Sequence, residues 1–235
     1  MKLIQSKVEI LDKIDGKEII SRLATVARTC YKSEDRSSEE ADLRLVKNLI
    51  QSGHHAMIEF YDITVKVTCD RAVAQEWTRH RVANYSMESQ RYCNYSKSKF
   101  GNEITFILPS WLEGGTDFLN SESCSYQFVR GLEYAEARYF ELLNLGWKPQ
   151  QARVVLPNCT KTELNCKMNL REWRHFLSLR CSAAAHPDIR KLALDLLERF
   201  HEQIPIIFDD LYESYIQQDS DTELPRISTE TSANA

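Results

Sequence analysis

Apolar and polar residues alternate with two different periods along this chain, and each change of period marks an element. Residues 3–11 (LIQSKVEIL) alternate roughly in twos and predict a strand. From 16 to 31 the period lengthens, and Ile19, Ile20, Leu23, Val26 and Ala27 fall on one face of a helix. A second helix is predicted over 38–52, with Ser38 as its cap and Gly53 as its stop. FYDITVKVTCD (60–70) sets Ile63, Val65 and Val67 against Thr64, Lys66 and Thr68, the pattern of a half-buried strand. A short helix over 71–78 leads into an arginine-rich stretch. EITFILP (103–109) reads as a strand ended by Pro109. A long helix over 123–145 stops at Gly146, and Pro149 opens a short helix that Pro157 closes. Residues 158–169 read as extended, and helices over 170–183, 187–201 and 204–217 follow.

No Gly/Ser linker or internal repeat divides this pattern. One domain over 1–217 is expected, then a polar, aperiodic tail over 218–235. The strands do not alternate regularly with the helices, so the expected class is α+β rather than a doubly wound sheet.

Composition narrows the function classes. The chain has 235 residues, 43% hydrophobic and 27% charged, with a net charge of −4. A pI near 5.9 argues against a general nucleic-acid binder. The seven cysteines are odd in number and form no C-x-x-C pair, so neither a disulfide framework nor a zinc site is expected. Free thiols fit a reducing cytoplasm. The N-terminus mixes charge with apolar residues too finely for a signal peptide, and no run of about eighteen apolar residues predicts a membrane helix.

Against that acidic background, residues 79–92 (RHRVANYSMESQRY) hold Arg79, Arg81 and Arg91 with Glu88 as the single acid. Counting on through Lys97 and Lys99 gives five cations against one anion, or +4. Arginines crowded in this way suit an anion such as phosphate, which a guanidinium grips through two parallel hydrogen bonds. The competing reading is a solvated basic face. Arg79 and Arg81 can share a face if the chain is extended there, with His80 pointing the other way. Ser89 and Arg91 repeat that spacing, and Gln90 adds a neutral donor. Val82, Ala83, Tyr85, Met87 and Tyr92, interleaved with these residues, imply partial burial.

Three further places carry candidate chemistry. In LREWRHFLSLRC, Arg180 continues the apolar stripe of Trp173, Phe176 and Leu177, so it projects from the buried face of its helix or snorkels from its end. Arg171 and His175 lie four apart on a neighbouring face, and Asn169 stands where an N-cap would. Arg153 lies in a mostly apolar short helix, where it forms either a structural ion pair or part of a site. His54 and Glu59 precede the central strand, where a lone histidine has a structural or a catalytic reading. Cys93 is either a nucleophile or a small apolar residue. No H-x-x-x-H or H-E-x-x-H occurs, so no metal is expected, and no glycine-rich phosphate loop is present.

Taken together, these blocks resemble the flavin-dependent thymidylate synthases, the ThyX family. Arg79-His80-Arg81, Ser89 and Arg91-Tyr92 resemble the family signature. Gly53, His54 and Glu59 resemble its G-H-x-x-x-x-E stretch, and Ala152 to Pro157 its A-R-x-x-L-P helix. Asn169, Arg171, His175, Leu179 and Arg180 resemble its N-x-R-x-x-x-[NH]-x-x-x-L-R helix. The likeness runs through residues 15–215 in order. Ser86 and Met87 depart from the Asn then Glu or Gln of many members. Ala56 to Phe60 replace an S/T-P-F-E-H segment, and Glu76 stands where some members have Gln.

The resemblance implies a twisted antiparallel sheet flanked by helices, in a homotetramer whose active sites are shared between subunits. It implies reductive methylation of dUMP at C5, with methylenetetrahydrofolate as carbon donor and NADPH as reductant through bound FAD. By position, His54, Glu59, Arg79, His80, Arg81, Asn169, Arg171 and His175 would face FAD. Glu76, Arg79, Glu88, Ser89, Gln90, Arg91 and Arg153 would serve dUMP, chiefly its phosphate. Arg180 would bind the uracil and favour its N3-ionised form, making C5 more nucleophilic. Two alternatives remain at this point. One is a relative acting on another pyrimidine nucleotide, such as dCMP or UMP. The other is a non-catalytic nucleotide or nucleic-acid binder that stacks bases on Tyr85, Tyr92 and Tyr95.

Overall fold

The strand over 62–70 forms because alternate residues are apolar, and it becomes the centre of the molecule for the same reason. In the computed structural model, which describes residues 1–30, 32–98, 101–112 and 120–217, this strand is β3 (Asp62–Asp70). It pairs antiparallel along its whole length with β6 (Lys161–Asn169), from Asp62 against Asn169 to Asp70 against Lys161. Val65, Val67 and Cys69 from one strand and Leu164, Cys166 and Met168 from the other fill the buried face. β2 (Lys7–Ile10) adds outside β3 and β4 (Asn84–Met87) outside β6, giving the antiparallel order β2-β3-β6-β4.

The predicted strand over 3–11 divides in two. β1 (Lys2–Ile4) leaves the main sheet and pairs in parallel with β5 (Thr105–Ile107). The extended stretch that forms β4 was not read as a strand from the sequence.

Helices cover the apolar face. α1 (Gly16–Thr29) and α2 (Glu39–Gln51) begin at their caps: Asp15 accepts from Lys17 N and Glu18 N, and Ser38 from Ala41 N. Gly53 closes α2 in the left-handed region at φ 73°, as its position as a stop predicts. α3 (Arg71–Trp77) follows β3 without a loop. α4 (Cys124–Asn144) and α5 (Pro149–Ala152) cover a second, smaller core built on Tyr95, Ile104, Phe106, Leu132 and Tyr139. α6 (Leu170–Arg180), α7 (Pro187–Gln203) and α8 (Pro205–Tyr212) complete the main core. Trp173 of α6 seals it, fully buried and donating from Nε1 to the Ile63 carbonyl at 3.0 Å. The fold is therefore α+β, a small antiparallel sheet flanked by helices, as expected. The tail over 218–235 and Lys99 lie outside the described residues. No helix among the described residues is long and apolar enough to cross a membrane.

Candidate active site

Two sequence-distant elements meet at the end of β6. Asn169 is the last residue of β6 and the N-cap of α6, its Oδ1 accepting from Glu172 N at 2.9 Å. The helix then carries Arg180, at its last position, back to the turn that follows α3. That turn is closed by Arg79 N on the Glu76 carbonyl at 3.3 Å and His80 N on the Trp77 carbonyl at 3.2 Å. Tyr85 of β4 pins it, its hydroxyl lying 2.9 Å from the Trp77 carbonyl oxygen and 2.6 Å from that of His80.

Arg180 is held on three sides. Its Nε donates to His80 Nε2 at 3.1 Å, Nη1 to Glu76 Oε2 at 2.8 Å, and Nη2 to the Glu76 carbonyl at 3.1 Å. The guanidinium is 19% exposed and Glu76 33%, so the pair sits at a rim rather than in the core. The charge of Arg180 is matched by a carboxylate.

His80 is buried, at 6% exposure, with its ring edge-on to Phe176 at 4.8 Å. Because its Nε2 accepts from Arg180, the ring proton resides on Nδ1, which faces Glu172 Oε1 at 3.8 Å. Burial, then Arg180 and His175, push the His80 pKa down to about 4, so the ring is neutral at pH 7. Burial likewise raises the pKa of Glu172, against the lowering effect of His175 and Arg171. His80, Glu172 and His175 offer ligand atoms within 4.8 Å of one another. Yet Nε2 of His80 is taken by Arg180 and Nδ1 carries the proton, so neither nitrogen presents a lone pair to a cation.

Beside this cluster opens a cavity of about 630 Å³, lined by Glu59, Val82, Asn169, Arg171, Glu172 and His175 among others. Arg171 donates to Glu59, bridging the helix to the segment before β3. The rings of His175 and His80 lie 6.1 Å apart and connect the cavity to the Arg180 cluster. His54 is exposed, one residue before His55, which lines the cavity.

The other candidates lie apart. Ser89, Gln90 and Arg91 form a turn after β4, with Ser89 Oγ accepting from Arg91 N at 3.3 Å and Gln90 buried. Arg91 Nε donates to Gln150 on α5 at 3.3 Å, which ties this turn to the element preceding Arg153. Glu88 turns inward to Lys161 Nζ at 3.0 Å and Tyr95 Oη at 3.4 Å. None of Arg91, Arg153 and Glu88 lines the cavity beside α6.

Partial burial of the arginines is not found: Arg79, Arg81, Arg91 and Arg153 are all exposed. Of the apolar neighbours that suggested burial, Val82, Met87 and Tyr92 are themselves exposed, at 63%, 39% and 78%, while Ala83 and Tyr85 are half-buried against the core. Nor is the chain extended at Arg79, which lies in the turn. His80 is nonetheless buried between two outward arginines. Neither Arg79 nor Arg81 has a carboxylate partner among the described residues.

The model of the thymidylate synthase complementing protein family matches residues 10–206. The chain belongs to that family. Among curated proteins it is 30% identical over 201 residues to a flavin-dependent thymidylate synthase of Mycolicibacterium vanbaalenii, covering 78% of this chain and 76% of the relative. A protein of the same name from Geobacter sulfurreducens is 29% identical over 195 residues, covering 80% of each. The fold is also that of PolB from Streptomyces cacaoi, described as a UMP/dUMP methylase bound with 5-Br dUMP. That match has a TM-score of 0.72 at 23% identity and covers 92% of this chain and 98% of the other.

In this member of the family, the residue that sequence reasoning missed is Glu172. Asn169-x-x-Glu172 has the spacing of a capping box, which would send the glutamate back to the helix start. Its backbone N–H is indeed capped, but its side chain faces His80 instead.

Proposed function

We propose that the protein is an FAD-dependent thymidylate synthase, methylating dUMP at C5 with methylenetetrahydrofolate and NADPH. The observation that carries this reading is the Arg180 fork, beside a cavity lined by Asn169, Arg171 and His175, in a chain of this family.

The residues present fit a flavin dinucleotide. Arg79 and Arg81 are outward guanidinium groups without carboxylate partners among the described residues, and Val82, next to Arg81, lines the cavity. Such groups suit a diphosphate. His54, Glu59, Arg79, His80, Arg81, Asn169, Arg171 and His175 would hold the flavin, which when bound supplies the hydride chemistry. That division of labour asks no cysteine to act as nucleophile.

Ser89, Gln90 and Arg91, with Arg79 and Arg153, would grip the nucleotide phosphate, and Glu76 and Glu88 would flank the substrate. The link from Arg91 to Gln150 already holds two of these segments side by side. Arg180 would hold the uracil ring. Since Arg91 and Arg153 face outward, the site would be completed by another copy of the chain in a homotetramer, working in the cytoplasm. No nucleic acid is needed as partner.

Absorbance of the purified protein, with FAD and then dUMP added, tests the reading together with tritium release from C5-labelled dUMP. A flavin spectrum perturbed by dUMP, and tritium release that requires folate, are expected. Protein that stays colourless after FAD addition overturns it, and release from labelled dCMP or UMP but not dUMP reassigns the substrate.

A further inference from the structure

The turn that would grip the nucleotide phosphate has a carboxylate at its root. Glu88 immediately precedes Ser89, Gln90 and Arg91, and its backbone N–H donates to the Glu163 carbonyl at 2.8 Å, so β6 fixes where the turn begins. A fixed negative charge next to a phosphate site repels the dianion and competes for Arg91 unless something cancels it. Lys161 is placed to do so. Its Nζ donates to Glu88 Oε2 at 3.0 Å and to Glu163 Oε1 at 2.8 Å, and Lys66 Nζ lies 2.8 Å from Glu163 Oε2. Two carboxylates thus alternate with two ammonium groups. Lys161 and Glu163, two apart on a strand, share one face of β6. Lys161 and Glu88 are only 20% and 14% exposed, so water screens them weakly. The Tyr95 hydroxyl, donating to Glu88 Oε1 at 3.4 Å, holds the other side of the carboxylate. Burial draws the Lys161 pKa down, but the bonds to Glu163 and Glu88 outweigh it and leave it raised, so the ammonium is charged at pH 7. Glu88, Tyr95 and Lys161 line a polar cavity of about 300 Å³ that shares no residue with the one beside α6, and its other charged residues, Lys2 and Glu103, are of opposite sign.

We propose that Lys161 is a positioning residue for the nucleotide phosphate, acting through Glu88: it cancels the carboxylate behind the Ser89–Arg91 turn and leaves the charge of Arg91 to the dianion. This role rests on the proposed reading that the turn takes the dUMP phosphate, and it sets Glu88 behind the turn rather than against the substrate. Arg91 itself faces outward, bonded to the neutral Gln150 and lying over the Tyr92 ring, so Lys161 and not Arg91 absorbs the Glu88 charge. The pair joins residues 73 apart in the chain, which is why neither residue's neighbours reveal it.

The test titrates dUMP into flavin-loaded protein by calorimetry, at low salt and above pH 7, where the phosphate has lost its second proton. One charge several ångströms from a dianion at a protein rim is worth about threefold to tenfold in Kd. Lys161→Met is expected to weaken dUMP binding by about that factor and Glu88→Gln, whose amide still accepts from Lys161, to tighten it. The double variant is expected to return to within about twofold of wild type. A role confined to holding the backbone predicts instead that all three variants bind more weakly. A folded Lys161→Met that binds dUMP as wild type does overturns the proposed role, and so does a double variant as weak as Lys161→Met. Glu88→Gln binding no tighter than wild type also overturns it, and decides the matter even if Lys161→Met does not fold. Each of these results leaves the synthase reading standing, whereas absence of dUMP binding to flavin-loaded wild type removes that reading and this role with it.

Discussion

Arg180→Lys keeps a positive charge at the end of α6 but removes the fork. A lysine ammonium can reach the Glu76 carboxylate, yet it cannot also serve the Glu76 carbonyl and His80 Nε2, which Arg180 bonds at 3.1 Å each. His80 is 6% exposed, so its Nε2 would lose its donor in a place with little water. Leaving such an acceptor unpaired costs about 1–3 kcal/mol of folding stability, read by urea unfolding. The nucleotide suffers separately. One lost hydrogen bond from a charged donor to the base is worth about 1.5–3 kcal/mol, or about 10–150-fold in Kd. Calorimetry with dUMP on flavin-loaded protein reads that loss directly. A folded Arg180→Lys variant whose Kd stays within about threefold of wild type would refute the placement of the base at Arg180, since such a change is well below 1 kcal/mol.

The depressed His80 pKa gives a signed pH dependence. The ring titrates near 6.5 when unfolded but only at about 4 when folded, so the unfolded chain binds the extra proton first. Its contribution is full above pH 6.5 and is lost towards 4, about 3 kcal/mol in all, and His80→Gln should flatten that part of the urea-unfolding profile. Arg180 sets the tautomer of the same ring: nitrogen-15 NMR should show the His80 proton on Nδ1 in wild type and in Glu172→Ala, where Arg180 Nε still donates to Nε2, and a shift towards Nε2 in Arg180→Ala. Unchanged ring-nitrogen shifts in a folded Arg180→Ala would sink that role. Away from the site, Arg28 and Asp42 are an ion pair 7% and 6% exposed, joined at 2.7 Å. Arg28→Ala strands the carboxylate and should cost about 3–5 kcal/mol in urea unfolding, with little change in nucleotide affinity.

Much of this architecture was legible in the chain because local physics decides it. Ser38 caps α2 where its position predicts, and the periods of β3 and α6 match their buried faces. What could not be read locally was set by partners far away. Lys2–Ile4 leaves the first strand because Thr105–Ile107 pairs with it in parallel. β4 is only four residues long, too short for its alternation to stand out within the arginine segment. The partial burial expected of the arginines failed because the segment sends His80, Ala83 and Tyr85 inward and the arginines outward. The pairing of Arg180 with Glu76 joins residues 104 apart, and no local period encodes it. Glu172 was hidden by a more ordinary explanation, its capping-box position.

Asn169 is both the last rung opposite Asp62 and the first cap of α6. Strand register and helix phase are therefore one setting. Adding or deleting a single residue within β6 would either turn every side chain to the opposite face of the sheet or rotate α6 by about 100°. In the second case Arg180 would leave Glu76 and His80, and Trp173, Phe176 and Leu177 would turn out of the core with it. Length variation in this lineage should therefore gather in the surface connections and be purged between Tyr61 and Asp70 and between Lys161 and Arg180, however freely the residues themselves change.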